Sequence, residues 1–271
     1  MLTALLFQAS CHRKGCTDPQ AENYSEKAKK DDGSCVYPAQ GEITINFIHF
    51  FDVAPLSASS FNQLIYQNEN GDVMSLTKLI YHISDVRLYK TNGDSIVLDG
   101  YHLVDLSTAS TLNYILPEKI LYDTYTGIGF NLGFTPGDNI SGAYSDLNAG
   151  NWSWPESLGG GYHQVQMEGK FIQTSTDTSS YAYHSGSTVR EIVGTESVFH
   201  PNYIWYKIPV TGFSLSNNAS IELKMDVSEW FKNPYLWDLN LLNNGLMGDY
   251  DAQLMIKANG ADVFSVGAIT Q

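Results

Sequence analysis

The alternation of apolar and polar residues with a period of two most constrains how this chain can fold. The segment EITINFIHFF places Ile43, Ile45 and Phe47 between more polar neighbours, which is the pattern of a half-buried strand. Similar short segments follow along the chain: YTGIGFNLGF, YHQVQMEGKFIQ, SYAYHSG, YIWYKIPVTGFSL and ASIELKMDVSEWF. Many short strands separated by turn residues predict an all-β fold, an antiparallel β-sandwich.

A hairpin and one or two short helices complete the predicted elements. In KLIYHISDVRLYKTNGDSIVLDGYHLVDLS, an Asn-Gly-Asp turn separates two strand patterns, which predicts a β-hairpin. The segment SLTKLIYHI has spacing that permits a helical start. Residues 233–264 carry Leu and Met at mixed spacings, from which we expect one or two short helices.

Composition and charge narrow the class of protein. Hydrophobic residues make up 43% of the 271, enough for a sizeable core, whereas only 16% are charged. Many aromatic residues with few charges are typical of a secreted β protein. The net charge of −14 repels nucleic acid and anionic lipid and attracts cations. We therefore predict no nucleic-acid partner.

The N-terminal segment MLTALLFQASC is predicted to be the remnant of a lipoprotein signal, residues 1–11. A short apolar run ends in small residues before Cys11, which would be the lipidation site and the membrane anchor. Gln8 stands where an aliphatic residue is usual, and no basic region precedes the run. An ordinary secretory signal or an unprocessed segment are the alternatives.

Two further cysteines bracket an acidic segment, which we treat as a separate tether of residues 12–38. If Cys11 is acylated, Cys16 and Cys35 are left as a pair that an oxidising compartment would join. The loop between them offers oxygen ligands of the kind that Ca²⁺ binds, from Asp18, Asn23, Asp31 and Asp32. The alternative is that these residues only form turns.

The same segment resembles a known module. GCTDPQAENYSEKAKKDDGSC is similar to the GCTDPxAxNYxxxAxxDDGSC modules of surface lipoproteins and secreted proteins. The resemblance covers about a tenth of the chain. It implies a disulfide-closed, calcium-binding stalk that holds the main domain away from a membrane.

The rest of the chain, residues 39–271, contains a series of distinctive segments, in the order INFIHF, YQNENGDVMSLTKLIYHISDVRLYKTNGD, YHLVDLS, YTGIGFNLG, NWSWPESLGGGYHQVQMEGKF, YAYHSGS and MGDYDAQLMIKANGADVFSV. With these segments it resembles the MbnP-like family of periplasmic or surface proteins associated with copper handling. The chain departs from the family at Asn151, in the PESLGG spacer and at His163. The resemblance implies an exported periplasmic or outer-membrane lipoprotein that binds copper without turnover.

Histidines on separate strands are the candidate copper ligands, because imidazole suits copper and no closely spaced pair or Cys-x-x-Cys motif is present. We predict His49 and His184 as ligands, with help from His82. Phe47 and Phe51 flank His49 where family members with a copper site have a tryptophan near a histidine. The alternative is that these histidines are only hydrogen-bonded in the core or at its rim. The seven histidines are His12, His49, His82, His102, His163, His184 and His200.

Trp152 and Trp154 are the candidate redox-modifiable residues. In some relatives a dihaem peroxidase-like partner enzyme converts a tryptophan to kynurenine, and the resemblance implies the same partner here. The alternative is that both indoles only pack in the sandwich, as large aromatic side chains usually do.

Catalytic function is not predicted. Glu168 could pair as acid and base with the Asp residues of YHISDV and VDLS, Asp85 and Asp105, but their spacing does not favour it. The sequence has no nucleophile elbow, P-loop or dinucleotide-binding motif. The second hypothesis is a glycan- or protein-binding surface lipoprotein in which exposed Tyr and Trp stack on sugars.

Overall fold

The computed structural model describes residues 13–174 and 177–271. Within them the main domain is a β-sandwich, as predicted. Its strands are β1 Gln40–Gly41, β2 Ile43–Phe51, β3 Ala54–Leu56, β4 Tyr66–Gln67, β5 Val73–Lys90, β6 Ser95–Asp105, β7 Asn113–Ile115, β8 Ile120–Leu121, β9 Thr124–Leu132, β10 His163–Ile172, β11 Thr178–Gly186, β12 Thr188–Val193, β13 Glu196–Pro201, β14 Ile204–Ser214, β15 Ala219–Asp226 and β16 Phe264–Thr270.

The helices are few and short, as predicted. The longest is α2, Tyr250–Asn259, which begins where the Asp249 carboxylate accepts the backbone N–H of Ala252 at 3.0 Å. The other α-helix is α1, Ser145–Ala149. Short 3₁₀ helices lie at Ala58–Ser60, Ala109–Leu112, Glu156–Leu158, Val227–Phe231, Leu246–Gly248 and Gly260–Asp262. In the described parts of the chain, no helix combines the length and apolar character needed to cross a membrane.

The larger sheet has seven strands, in the order β11-β10-β5-β9-β14, with β4 and β6 also paired to β5. The antiparallel pairing of β5 with β6 confirms the predicted hairpin. The helical start expected in SLTKLIYHI is wrong, because that segment lies inside β5. The buried Leu79, Tyr81 and Ile83 alternate with side chains that are covered on the opposite face, so the apolar run reflects a strand packed on both sides. On that opposite face Ile80 is partly buried and His82 is buried.

The smaller sheet has five strands, in the order β16-β15-β2-β3, with β7 also paired to β2. Its β2 and β15 run parallel, whereas the other pairs in both sheets are antiparallel. Ile43, Ile45 and Phe47 of β2 are buried, as the alternation predicts. They join β5, β15 and α2 in the main apolar core.

A second, smaller core covers the outer face of the larger sheet. It contains the buried side chains of Phe134, Leu147, Trp152 and Tyr162. We call residues 133–162 the covering lobe, because they pack this second core against β5 and β6, where Ile80 is among the residues in contact with it. The two faces of β5 therefore pack against different apolar clusters.

The N-terminal module, residues 13–38, has isolated bridges rather than regular strands. A disulfide joins Cys16 to Cys35, as predicted, and closes a loop with a sequence separation of 19. The predicted lipidation site Cys11, with the whole predicted signal remnant 1–11, lies outside the described residues. The first strand of the main domain begins at Gln40 and pairs with β8 in a separate two-stranded sheet.

Candidate metal centre

Three histidines lie on the outer face of the larger sheet, on three adjacent strands. They are His82 of β5, His163 of β10 and His184 of β11. Successive side chains of a strand point to opposite faces, and Tyr81 and Tyr183 belong to the core between the sheets. His82 and His184 therefore point away from that core.

His163 has a free lone pair inside the protein. Its Nδ1 lies 3.1 Å from the carbonyl oxygen of Trp152. Because a carbonyl only accepts hydrogen bonds, Nδ1 must carry the proton and Nε2 must not. Nε2 is buried and has no hydrogen-bond partner among the described residues, and His163 as a whole is only 5% exposed. A fixed tautomer with an unpaired nitrogen is the state of a histidine ready to bind a metal.

His184 lies next to His163, with ring centroids 5.4 Å apart and ring planes at 84°. Its Nε2 lies 3.0 Å from Oε1 of Glu168. Two imidazoles that share a metal with bonds of about 2 Å have ring centroids within about 6 Å of each other. The spacing of His163 and His184 is within that limit.

His82 has a different role. The indole N–H of Trp152 donates to Nδ1 of His82 at 3.1 Å, and a neutral His82 therefore carries its proton on Nε2. That Nε2 is also buried without a partner in the described part of the chain. Binding a metal at Nε2 would need the proton to leave or the Trp152 bond to break. His82 therefore orients Trp152 rather than acting as a ready ligand.

Burial keeps these imidazoles uncharged. It lowers the pKa of His163 to about 4, against the opposing effect of the Trp152 carbonyl, and that of His82 to about 3. Burial also lowers the pKa of His184, although its hydrogen bond to Glu168 acts in the other direction. Neutral imidazole binds metal without first losing a proton.

Two tryptophans surround His163. The ring of Trp154 meets it edge-on at 4.9 Å between centroids and 85° between planes, and Trp152 lies at 5.6 Å. Both indoles are about 2% exposed. A Cβ at Gly186 would lie 2.4 Å from the Trp154 ring, so the absence of a side chain there gives the indole its place. The pocket around the His163 lone pair is therefore aromatic and nearly dry.

His49 does not join this group, and the expectation that it converges with His184 needs correction. It is 3% exposed, and its Nε2 lies 3.0 Å from the hydroxyl of Tyr81, a residue of the core between the sheets. The larger sheet thus separates His49 from His184. The alternation that identified β2 also makes His49 an inward-facing residue.

A family model describes most of the same domain. The model of the MbnP family matches residues 40–247. The chain belongs to the MbnP family. The family is known for copper-related proteins.

A solved structure has the same overall fold. MbnP from Methylosinus trichosporium is similar with a TM-score of 0.54 and 14% sequence identity, over 85% of this chain and 99% of the other. At that identity the similarity establishes the fold alone. A comparison with curated proteins finds no sequence match.

The remaining histidines of this MbnP-family domain have other partners. His102 is stacked between Phe47 and Tyr114, and its Nε2 contacts the carbonyl of Thr111 at 2.7 Å. His200 pairs with Glu191 at 2.8 Å on the β12–β13 hairpin. His12 lies outside the described residues.

The predicted calcium ligands each accept a hydrogen bond from within the N-terminal module. Asp18 accepts from the backbone of Gln20 and the hydroxyl of Tyr37, and Asn23 accepts from the backbone of Val36. The carboxylates of Asp31 and Asp32 accept the backbone N–H two residues later, at 2.9 and 3.1 Å. In residues 13–174 and 177–271, no three or more His, Cys, Asp or Glu side chains form a metal-binding group.

Sequence reasoning missed His163 as a ligand candidate. It registered the residue only as a departure from the family pattern after Tyr162. The available signal was its position at the start of a strand, eleven residues after Trp152 in a segment already notable for its two tryptophans. The hydrogen bond that fixes its tautomer comes from chain folding in the covering lobe, which no local pattern reveals.

Proposed function

We propose that this MbnP-family protein binds copper on the outer face of its larger sheet, with His163 and His184 as the ligands. The observation that carries the proposal is the unpaired, buried Nε2 of His163 beside a second imidazole. It revises the ligand set predicted from sequence by keeping His184 and replacing His49 with His163.

The donor set suits a soft cation. Imidazole is a good ligand for copper, and Cu(I) accepts few ligands, whereas Zn²⁺ in structural sites takes four. The aromatic walls of Trp152 and Trp154 exclude water, and the acidic chain attracts cations. When bound, copper would supply a redox-active centre. Hydrogen bonds within the chain orient both imidazoles: the Trp152 carbonyl accepts from His163, and the Glu168 carboxylate accepts from His184.

Copper affinity in variants tests the proposal. Purified protein is titrated with Cu(I) against a competing chelator, and His163→Asn and His184→Asn are compared with wild type. We expect each variant to lose affinity by at least tenfold, because a two-ligand site cannot lose one ligand without large cost. Wild-type affinity no better than micromolar would refute the proposal.

Two variants serve as matched controls. His200→Asn removes a histidine that is also paired with a glutamate, and His49→Asn removes one that is also buried. Both should keep wild-type copper affinity. Equal losses in His49→Asn and His163→Asn would place the site elsewhere or show general unfolding.

Oxidative modification of a tryptophan by a dihaem peroxidase-like partner enzyme is part of the proposal. Trp152 is the better candidate, because its N–H contacts His82 and its carbonyl contacts His163. Trp154 is the other. Peptide mass spectrometry of protein from its native host should show the mass shift of kynurenine or of its formylated precursor at Trp152, and no shift at the buried Trp230, which lies in the main core.

We further propose that the protein acts by binding, without catalytic turnover, in an exported, periplasmic or outer-membrane setting. The Cys16–Cys35 disulfide supports export, because disulfides persist in oxidising compartments. The lipid anchor at Cys11 stays a prediction, and so does calcium binding by the module. Calorimetric titration of Ca²⁺ into wild type and an Asp31→Asn, Asp32→Asn double variant would decide the latter.

Glycan or protein binding, the second hypothesis, has less support. Trp152, Trp154, Trp230 and Trp237 are buried. Trp205 is 39% exposed, and the guanidinium of Arg87 lies 4.7 Å from the centre of its ring. A sugar would have to displace that contact to stack on this face.

A further inference from the structure

One carboxylate oxygen links three strands beside the metal centre. Oε1 of Glu168 lies 3.0 Å from Nε2 of His184 and 3.1 Å from Nζ of Lys78. Glu168 belongs to β10, which has β5 with Lys78 on one side and β11 with His184 on the other. The ladder register places Lys78 directly opposite Glu168. The contact between Lys78 and Glu168 is therefore set by the strand register as well as by the opposite charges of the two side chains.

The hydrogen bond settles which nitrogen of His184 carries the proton. The same oxygen also accepts a hydrogen bond from the Lys78 ammonium, so Oε1 is an acceptor and Nε2 of His184 must be the donor. In the neutral imidazole, which is the form that binds a metal, the single proton therefore lies on Nε2 and the lone pair on Nδ1.

We propose that Glu168, held in place by Lys78, is a positioning residue that fixes the tautomer of His184 and so presents Nδ1 to the metal. This inference rests on the copper function proposed above and assigns a role to a residue outside the ligand set. A carboxylate behind a metal-binding imidazole orients the ring and raises its basicity. His163 has the equivalent partner in the Trp152 carbonyl. The two ligands are thus held by different kinds of acceptor, one charged and one neutral.

The backbone of His184 is anchored independently of Glu168. The side-chain amide of Gln253, on α2, donates to the His184 carbonyl at 2.8 Å. His184 also pairs with Gln166 in the β10–β11 ladder. Removal of the Glu168 carboxylate should therefore change the protonation of the ring while the strand stays in place. Glu168 has a side chain 36% exposed, so its replacement leaves no buried cavity.

The chain offers a matched control. His200 and Glu191 form a second histidine–glutamate pair at 2.8 Å, on β13 and β12. Both side chains are more than a third exposed. Glu191→Leu therefore removes the same kind of hydrogen bond from a histidine that is not a proposed metal ligand.

The test is the ¹⁵N spectrum of the imidazoles in metal-free protein, with the His184 signals assigned from a His184→Asn variant. In wild type at neutral pH we expect the Nε2–H form of His184. Glu168→Leu should give a mixture of the two tautomers, Glu168→Gln should keep more of the Nε2–H form because it keeps an acceptor oxygen, and Glu191→Leu should leave His184 unchanged. A wild-type His184 protonated at Nδ1, or an unchanged tautomer in Glu168→Leu, would overturn the inference.

Copper titration separates this inference from the function on which it rests. We expect Glu168→Leu to weaken Cu(I) binding by about 10- to 100-fold, Glu168→Gln by less, and Glu191→Leu not at all. Equal affinity in wild type and Glu168→Leu would overturn the positioning role while copper binding stands. A wild type that binds no copper would instead refute the proposed function, whereas the tautomer measurement would still decide what Glu168 does.

Discussion

The indole N–H of Trp152 donates to Nδ1 of His82 at 3.1 Å, inside the small core between the covering lobe and the larger sheet. The carbonyl of the same tryptophan accepts from His163. Trp152 thus contacts two histidines: His82, which accepts from its indole, and His163, whose Nε2 has no partner among the described residues. The side chain of Trp152 contacts His82, and its backbone carbonyl orients the ring of His163.

Replacement of Trp152 by Phe should therefore separate stability from binding. The loss of the N–H leaves the buried Nδ1 of His82 without a partner, which costs about 1–3 kcal/mol in the free energy of unfolding. In protein whose tryptophans are unmodified, copper affinity should stay near wild type, because the carbonyl that orients His163 is retained. Denaturant unfolding and chelator competition measure the two effects.

Trp154→Phe is the control for that experiment, because the Trp154 N–H makes only a long contact of 3.4 Å with the Leu158 carbonyl. It should cost less than Trp152→Phe. A Trp152→Phe protein as stable as wild type would contradict the hydrogen-bond argument.

The burial of His49 predicts a stability that depends on acid. Burial lowers the pKa of His49 to about 4, from 6.5 in an exposed histidine. Between pH 6.5 and pH 4, His49 is protonated in the unfolded chain but not in the folded chain. Its contribution to the free energy of unfolding is therefore fully present above pH 6.5 and decreases as the pH falls to about 4. The contribution of this one group has a slope of up to about 1.4 kcal/mol per pH unit.

His49→Gln, which keeps a polar group near the Tyr81 hydroxyl, should have a shallower loss of stability between pH 6.5 and 4. Urea unfolding at several pH values measures the difference. Parallel curves for His49→Gln and wild type would show that His49 is not protected from protons.

The fold was largely readable from the sequence. The period-two pattern of β2, the Asn-Gly-Asp turn after β5 and the mixed spacing around α2 each predicted the element that forms. The error at SLTKLIYHI has a physical cause, since burial on both faces of β5 removes the alternation that marks a strand. The covering lobe that buries its second face has little regular structure and left no periodic signal.

The candidate metal centre was only partly readable. His184 lies in the outer cluster, and its role as a ligand stays a prediction. His49 was paired with it because the sequence predicts the strand on which a residue lies but not which faces of the two sheets meet. The role of His163 depends on a backbone carbonyl, and every residue type has one. That contact becomes visible only when the lobe is folded.

Gly186 should be intolerant of a side chain. Its Cβ would lie 2.4 Å from the Trp154 indole, so Gly186→Ala forces the ring away from His163 at a cost of about 1–3 kcal/mol in unfolding free energy. Near-ultraviolet circular dichroism should report the moved indole. Gly248→Ala has open space around the new methyl group and should change neither the spectrum nor the stability appreciably. An unaltered spectrum in Gly186→Ala would count against the crowded geometry.

The disulfide should stabilise the N-terminal module alone. Closing a loop of this length lowers the conformational entropy of the unfolded chain, which stabilises the folded module by about 3 kcal/mol. A Cys16→Ser, Cys35→Ser double variant should be cut by proteases within residues 13–38 far faster than wild type. The thermal transition of residues 40–271 should keep its midpoint, and a large downward shift would show that the module supports the sandwich.

The covering lobe has a consequence for protein engineering. Its first residue, Gly133, lies beside His82, whose carbonyl accepts the Gly133 N–H, and its last residue directly precedes His163, the first residue of β10. No residue of the main apolar core lies between positions 133 and 162. We therefore expect that this segment can be exchanged as one cassette without a change in the packing between the two sheets. Libraries built in this cassette would sample new coordination chemistries on an unchanged frame.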